Sequence, residues 1–448
     1  MPSSSNPKSG LRHQLSAGQI TMVAVGGFIG TRLLLGAAAI ELAGPAVILS
    51  FVLAAFISWT VALALGELAS THPAAGSFGL YGDLYLNHYA GFLARFGYWL
   101  AIAVSIGAEM VASATYMQLW LPRVPALLWV FVFSALLLGI NFLTVHAYGR
   151  FEFWFAMIKV AVIAIFIALG AALLISGRVP SQYTAHGGFF PLGAAAPLLA
   201  ITFAIYAFGG VEFVAVASGE STSAKDVGRA ARMTFLTLAM VYLGAIVILV
   251  GIMPWNRAGV AESPFVTVFR LVSFPGSAHF MNFVVLTAAL SGANAALYIS
   301  SRMLFSLART GWAPRALGRL STKGAPTLAL LASSYGIVVA LVLERWAPAQ
   351  AFEDILRGAF FGMMLSWIIS LAAHISFRSR LTAEQIAQIP ARSPLGKWGS
   401  IIGLAVVLAS TAKTWWDSRI NLVVGLTFLI ALTLLYFLLR PHALQNSD

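Results

Sequence analysis

From residue 17 almost to its end the chain is one long apolar run after another, with short polar stretches between them. Few folds accommodate that pattern. About 20 consecutive apolar residues cross a bilayer as a helix, and in lipid each peptide N–H and C=O must be paired inside the protein. Charged residues are only 9% of the sequence and hydrophobic ones 60%, which excludes an ordinary soluble domain. The expected fold class is an all-α polytopic membrane protein with 12 transmembrane helices, at 17–42, 45–69, 91–120, 125–146, 151–177, 194–219, 231–254, 278–308, 326–347, 353–377, 397–416 and 419–440. The third and eighth are long enough to tilt. Pro45, Pro125 and Pro326 sit near span starts, where a missing N–H costs little. A polar tail, 1–15, precedes a single transmembrane domain, 16–440, and a second tail covers 441–448.

Basic residues set the orientation. With the N-terminus inside, 17 of the 27 Lys and Arg residues fall on the cytoplasmic side and 7 on the outer side; Arg32, Lys159 and Lys413 lie at membrane depth. Cytoplasmic loops carry the excess of positive charge. Both termini are therefore expected in the cytoplasm, and the net charge of +12 reflects topology, not a nucleic-acid partner. The tail MPSSSNPKSGLRHQ lacks a small-residue cleavage site, so the first span is expected to be retained. With no cysteine, disulfides and thiol metal sites are excluded. No H-E-x-x-H, G-x-S-x-G or G-x-x-x-x-G-K-[ST] run occurs, so no enzyme is expected. No cofactor is expected either, and uphill work would draw on an ion or substrate gradient.

Two stretches break the regular pattern. Val23–Leu33 packs Gly26, Gly27 and Gly30 into mid-span and adds Arg32, and Tyr206–Glu212 carries Gly209 and Gly210. Each glycine costs a helix about 1 kcal/mol relative to alanine. Backbone freed at membrane depth survives where it lines a cavity or holds a ligand. The first and sixth spans therefore read as discontinuous helices whose bare peptide groups form a binding site. Five spans separate their starts, as five-plus-five inverted repeats require, about 16–177 and 190–377, with extra helices in 397–440. The N–H groups around Gly27, Ile29, Gly30, Thr31 and Arg32 suit a carboxylate. Carbonyls around Val23–Gly26 and Phe203–Tyr206 suit a protonated amine, so the expected ligand is a zwitterion. Tyr206 and Phe208 flank the second break, where an aromatic ring can cover a substrate or simply pack. The competing reading, that these glycines only permit close helix packing, stays open.

Lys159, Glu109 and Glu212 are ionisable residues within spans and must face the interior. A Lys–Glu pair there either holds the fold or passes a proton. Ser291 and Asn294, one turn apart in the eighth span, either line a pathway or bond across helices. Glu67, near the inner end of the second span, reads as a cap or loop contact, His374, near an inner end, as structural, and Lys413 as snorkelling outward.

Five runs carry a family likeness: GGFIGTRLLLGAAAIELAGPAVILSF, LALGELASTHPAAGSF, FEFWFAMIKVAVIAIFIALG, FAIYAFGGVEFVAVASGES and SSRMLFSLARTGWAPRALGRLSTKGAPTLAL. They resemble bacterial amino acid permeases of the amino acid–polyamine–organocation superfamily, within its amino acid transporter branch. The resemblance implies a leucine-transporter-type five-plus-five inverted repeat with two further helices. It implies that Ile29, Gly30 and Thr31 bind a substrate carboxylate, and that Tyr206 is an aromatic gate. Gly209, Gly210 and Glu212 match the family's G-x-E region, and Glu109 a third-span glutamate. Lys159 matches the lysine that stands in for a sodium ion in proton-coupled relatives. Arg32 departs from the pattern, which has glycine there. Three roles stand open for it: clamping a second acidic group of a substrate, filling the cavity, or turning toward Glu109 or Glu212. The implied activity is secondary transport of amino acids or related amine acids across the bacterial inner membrane, by proton-coupled symport. An exchanger and a non-transporting sensor are the alternatives, and the oligomeric state is open.

Overall fold

The computed structural model describes residues 15–29, 35–74, 76–142, 145–257, 269, 276–322, 324–346 and 351–444. Among these residues the regular structure is helical, with a single isolated bridge between Leu15 and Ser221. In order the helices are α1 (Ala17–Phe28), α2 (Leu35–Ala43), α3 (Val47–Thr71), α4 (Ser77–Tyr85), α5 (His88–Gln118) and α6 (Ala126–Asn141). There follow α7 (Val145–Ile175), α8 (Ala196–Ala207), α9 (Phe213–Ala217), α10 (Ala224–Ile252), α11 (Ser277–Arg309) and α12 (Thr327–Ser333). The last are α13 (Tyr335–Trp346), α14 (Ala351–Ser379), α15 (Ala383–Ala387), α16 (Gly396–Asp417) and α17 (Arg419–Leu444).

Local signals set several starts. Ser16 and Gln19 form a reciprocal capping box ahead of α1. Asn87 caps α5 through Ala90 N, and Ser223 caps α10 through Asp226 N. Pro197 opens α8 in the first turn, where its missing N–H is harmless. Among the described residues seven helical stretches are long and apolar enough to cross a bilayer, and three further apolar helices are shorter.

Burial separates centre from rim. In the apolar window of α11, 89% of residues are buried, against 17% in that of α17. α11 is therefore the post around which the bundle packs, touching α5, α1, α7 and α6. α17 presents Val423, Ile430, Leu434 and Leu438 outward, as a lipid-facing helix does. The segment expected as one helix over 326–347 is interrupted at Ser334. Just beyond, Gly336 lies so close to α5 that a Cβ there would overlap the Ala103 carbonyl. The interruption accompanies this close approach, which no local pattern announces.

Candidate functional site

The two glycine-rich stretches end helices. α1 stops at Phe28, and the Ile29 N–H closes the last turn on Val25 O at 3.0 Å. Gly30, Thr31 and Arg32 lie outside the described residues. α8 stops at Ala207, and turns carry the chain through Phe208–Glu212. Gly210 has φ +121°, a conformation that favours glycine. The two ends meet. A Cβ on Gly27 would overlap the Phe213 ring and lie 3.1 Å from Ala295 Cβ, so α1, α9 and α11 are in direct contact there.

The second stretch is wired by its own glutamate. Gly210 N donates to Glu212 Oε2 at 2.7 Å. Trp367 Nε1 donates to the same oxygen, and Tyr98 O–H to Oε1, both at 2.9 Å. Gly209 N closes a turn on Tyr206 O at 3.1 Å. Phe208 is buried between Phe51 and Tyr242, and Tyr206 lies beside Phe360. Phe203 is half-buried one turn before Tyr206.

The first stretch is held from another helix. Lys159 Nζ, on α7, donates to Gly26 O at 2.6 Å. That oxygen is among the last carbonyls of α1, which a helix end leaves without intrahelical partners. Two turns earlier on α7, Glu152 is buried and electrostatically paired with Lys159. Ser291 O–H donates to Glu152 Oε1, and Asn294 Nδ2 donates to Oε2 at 2.7 Å. Asn141 Nδ2 in turn donates to Asn294 Oδ1 at 2.7 Å. Glu109 completes the group: it is a further electrostatic neighbour of Lys159, and a Cβ on Gly292 would lie 3.4 Å from its carboxylate. Buried charges are tolerable only when paired and hydrogen-bonded, and Lys159 and Glu152 meet both conditions.

Lys159, Glu109, Ser291 and Asn294 are thus gathered at the end of α1, while Glu212 belongs to the second stretch. Glu152 was not singled out from sequence. Its signal was available: seven residues before Lys159 is about two helical turns, the same face.

Further ion pairs lie elsewhere. Arg302 pairs with Glu220 at 3.1 Å, and Tyr298 O–H donates to the same carboxylate. Glu67, read from sequence as a cap or loop contact, accepts from Arg378 Nη2 and from Ser393 N, each at 2.6 Å. His374, read as structural, contacts Ser400 Oγ at 2.7 Å. Among the described residues no group of three or more His, Cys, Asp or Glu residues forms a metal cage.

The sequence profile described as amino acid permease matches residues 19–440. The chain belongs to the amino acid permease family. It is similar to an amino acid permease of Bacillus subtilis, YtnA, at 36% identity over 96% of this chain and 95% of that one. The aromatic amino acid transport protein AroP of Escherichia coli K12 is 34% identical, covering 90% of each chain. The gamma-aminobutyric acid permease of Bacillus subtilis is 33% identical over 90% of this permease and 89% of that one. Among solved structures, the manganese transporter of Eremococcus coleocola aligns over 99% of this chain and 97% of that one, with a TM-score of 0.57 and 15% identity. That likeness speaks for a shared fold alone. This permease is accordingly a multi-pass membrane transporter and not an enzyme.

Proposed function

We propose that this permease is a secondary transporter that moves an amino acid or related amine acid together with a proton, coupled through Lys159. The observation that carries the reading is the 2.6 Å bond from Lys159 Nζ to Gly26 O. It makes the end of the first helix, where the substrate is expected, answer to the charge of a buried lysine. A charged lysine donates to that carbonyl and faces Glu152; a neutral one loses its electrostatic hold on both. The protein part that contacts substrate and the part that takes a proton are then one hydrogen bond apart.

The reading gives the chain twelve crossings as five-plus-five inverted repeats with two added helices, and puts both termini in the cytoplasm of a bacterial cell. Peptide groups at Gly27–Arg32 and Phe208–Gly210 grip the zwitterion, with Phe203 and Tyr206 beside it. Glu152 and Glu109 set the charge around Lys159, Ser291 and Asn294 orient Glu152, and Glu212 braces the second break. An amino acid substrate is supported by the names of relatives that carry aromatic amino acids and gamma-aminobutyric acid.

Uptake of radiolabelled L-amino acids into proteoliposomes tests the reading. Accumulation should follow an imposed pH gradient in wild type and be lost in Lys159→Gln. Uptake that ignores the gradient, with Lys159→Gln equal to wild type, would overturn the coupling. Trans-stimulation by internal substrate without net accumulation would instead mark an exchanger. Binding by thermal shift with no flux would mark a sensor. Comparing Arg32→Gly in the same screen would show whether the arginine filters substrates.

A further inference from the structure

A line of polar side chains runs between α7 and α11, from the centre of the bundle to the end at which α9 stops. On α7 it consists of Lys159, Glu152 and Tyr148, spaced by seven and four residues and so on one face. On α11 it consists of Ser291, Asn294, Tyr298 and Arg302, again one stripe. The stripes are joined at the top by Ser291 and Asn294 on Glu152. At the bottom Tyr298 and Arg302 both bond Glu220. Between the two sits Tyr148. Its ring stacks on Tyr298 with centroids 4.4 Å apart and planes 5° from parallel. The side chain is 2% exposed, and its hydroxyl has no hydrogen-bond partner among the described residues. The charged groups and phenol nearest it are Glu152 above and Tyr298, Arg302 and Glu220 below.

A buried hydroxyl without a partner loses its hydration and gains nothing in return. A phenylalanine would keep the stack and avoid that cost. Packing therefore does not account for the oxygen, whereas its place between two carboxylates does. We propose that Tyr148 is a proton-relay residue, handing a proton released at the Lys159–Glu152 pair on to Glu220. The inference rests on the proton-coupled reading above.

The transfer balances. An N–H bond of Lys159 breaks as an O–H bond forms on Glu152. That O–H then breaks as the proton bonds to the Tyr148 oxygen, whose own proton passes to the Tyr298 oxygen. The former Tyr298 hydroxyl proton ends on Glu220. Both tyrosines finish neutral, as they began, and one proton has moved. With its hydroxyl unbonded, Tyr148 leaves the line open toward both Glu152 and Tyr298 in this conformation, and among the described residues Lys159 and Glu152 are coupled electrostatically without a hydrogen bond. Small rotation of α7 against α11 would close it, so proton passage is tied to helix movement and a leak is avoided.

The full chain in proteoliposomes tests this with two readouts of the same radiolabelled L-amino acid mixture. One is net uptake driven by a pH gradient, and the other is counterflow against unlabelled internal mixture, which needs no net proton release. Tyr148→Phe should lower driven uptake by about 100-fold, the scale of losing a positioned proton-transfer group, while counterflow stays within twofold. Driven uptake within twofold of wild type would overturn the relay. Loss of both readouts together would overturn it too, since the hydroxyl would then be structural. If wild type itself ignores the gradient, the proton-coupled reading falls and takes the relay with it. A response in both wild type and Tyr148→Phe removes the relay alone.

Discussion

The ends of α1 and α8 solve one problem in opposite ways. Each releases backbone groups inside the bundle, where an unpaired peptide group is costly. At the second, a carboxylate two residues away closes on Gly210 N, and Tyr98 and Trp367 steady it. The repair is local and carries its own brace. At the first, the partner of Gly26 O is an ammonium group reaching over from α7. That repair depends on a proton and on the position of a second helix. One helix end is thus held from within its own segment, and the other from a neighbouring helix.

Four substitutions sharpen or break that contrast. Lys159→Met should have the largest effect. It leaves Glu152 as an unpaired buried charge, at about 3–5 kcal/mol, and should abolish gradient-driven uptake while lowering the melting temperature in detergent. Glu212→Leu comes next. It orphans Gly210 N–H and Trp367 Nε1, at about 2–4 kcal/mol together, read by thermal denaturation. Gly26→Ala follows. In an ordinary helix the change would gain about 1 kcal/mol. Here the new Cβ would overlap Glu152 Oε1 and sit 3.1 Å from Ser291 Oγ. A loss of about 1–3 kcal/mol is expected instead, with driven uptake reduced. Glu212→Gln should be the mildest, below about 1 kcal/mol. Its amide oxygen can still accept from Gly210 and Trp367, and its NH₂ can donate to the Tyr98 oxygen. Proton-driven uptake should survive it. If Glu212→Gln instead abolished coupling as Lys159→Met does, the contrast between the two ends would fail.

Much of this arrangement could be read along the chain because its causes are local. Paired glycines in an apolar run point to a helix end or to close packing, and here α1 and α8 end beside them while Gly27 also packs tightly on Phe213. Lys159 stood out because a lysine in lipid needs a reason, and Ser291 with Asn294 because they are a turn apart on an otherwise apolar face. Glu152 was hidden. In the run Phe151-Glu152-Phe153-Trp154 it looks like the edge of a span, yet α7 begins at Val145 and buries it deeply. Only its spacing to Lys159 pointed inward. Glu220 and Arg302 were visible as polar ends of two spans, but 82 residues separate them and nothing local predicts their pairing. The interruption at Ser334 was equally invisible, since the nearby crowding comes from α5. Local chemistry announced the breaks; long-range packing chose their partners.

One small feature bears on how such a molecule could open. Leu15, just ahead of α1, donates its N–H to Glu220 O at 2.9 Å and accepts from Thr222 N at 3.1 Å. The strand-like clasp ties the start of α1 to the segment just after α9 through main-chain atoms, so that of all substitutions only proline at Leu15 or Thr222 would delete a donor. Swinging either segment outward alone would tear two main-chain hydrogen bonds; swinging both keeps them whole. The clasp thus favours a single leaf over two independent doors.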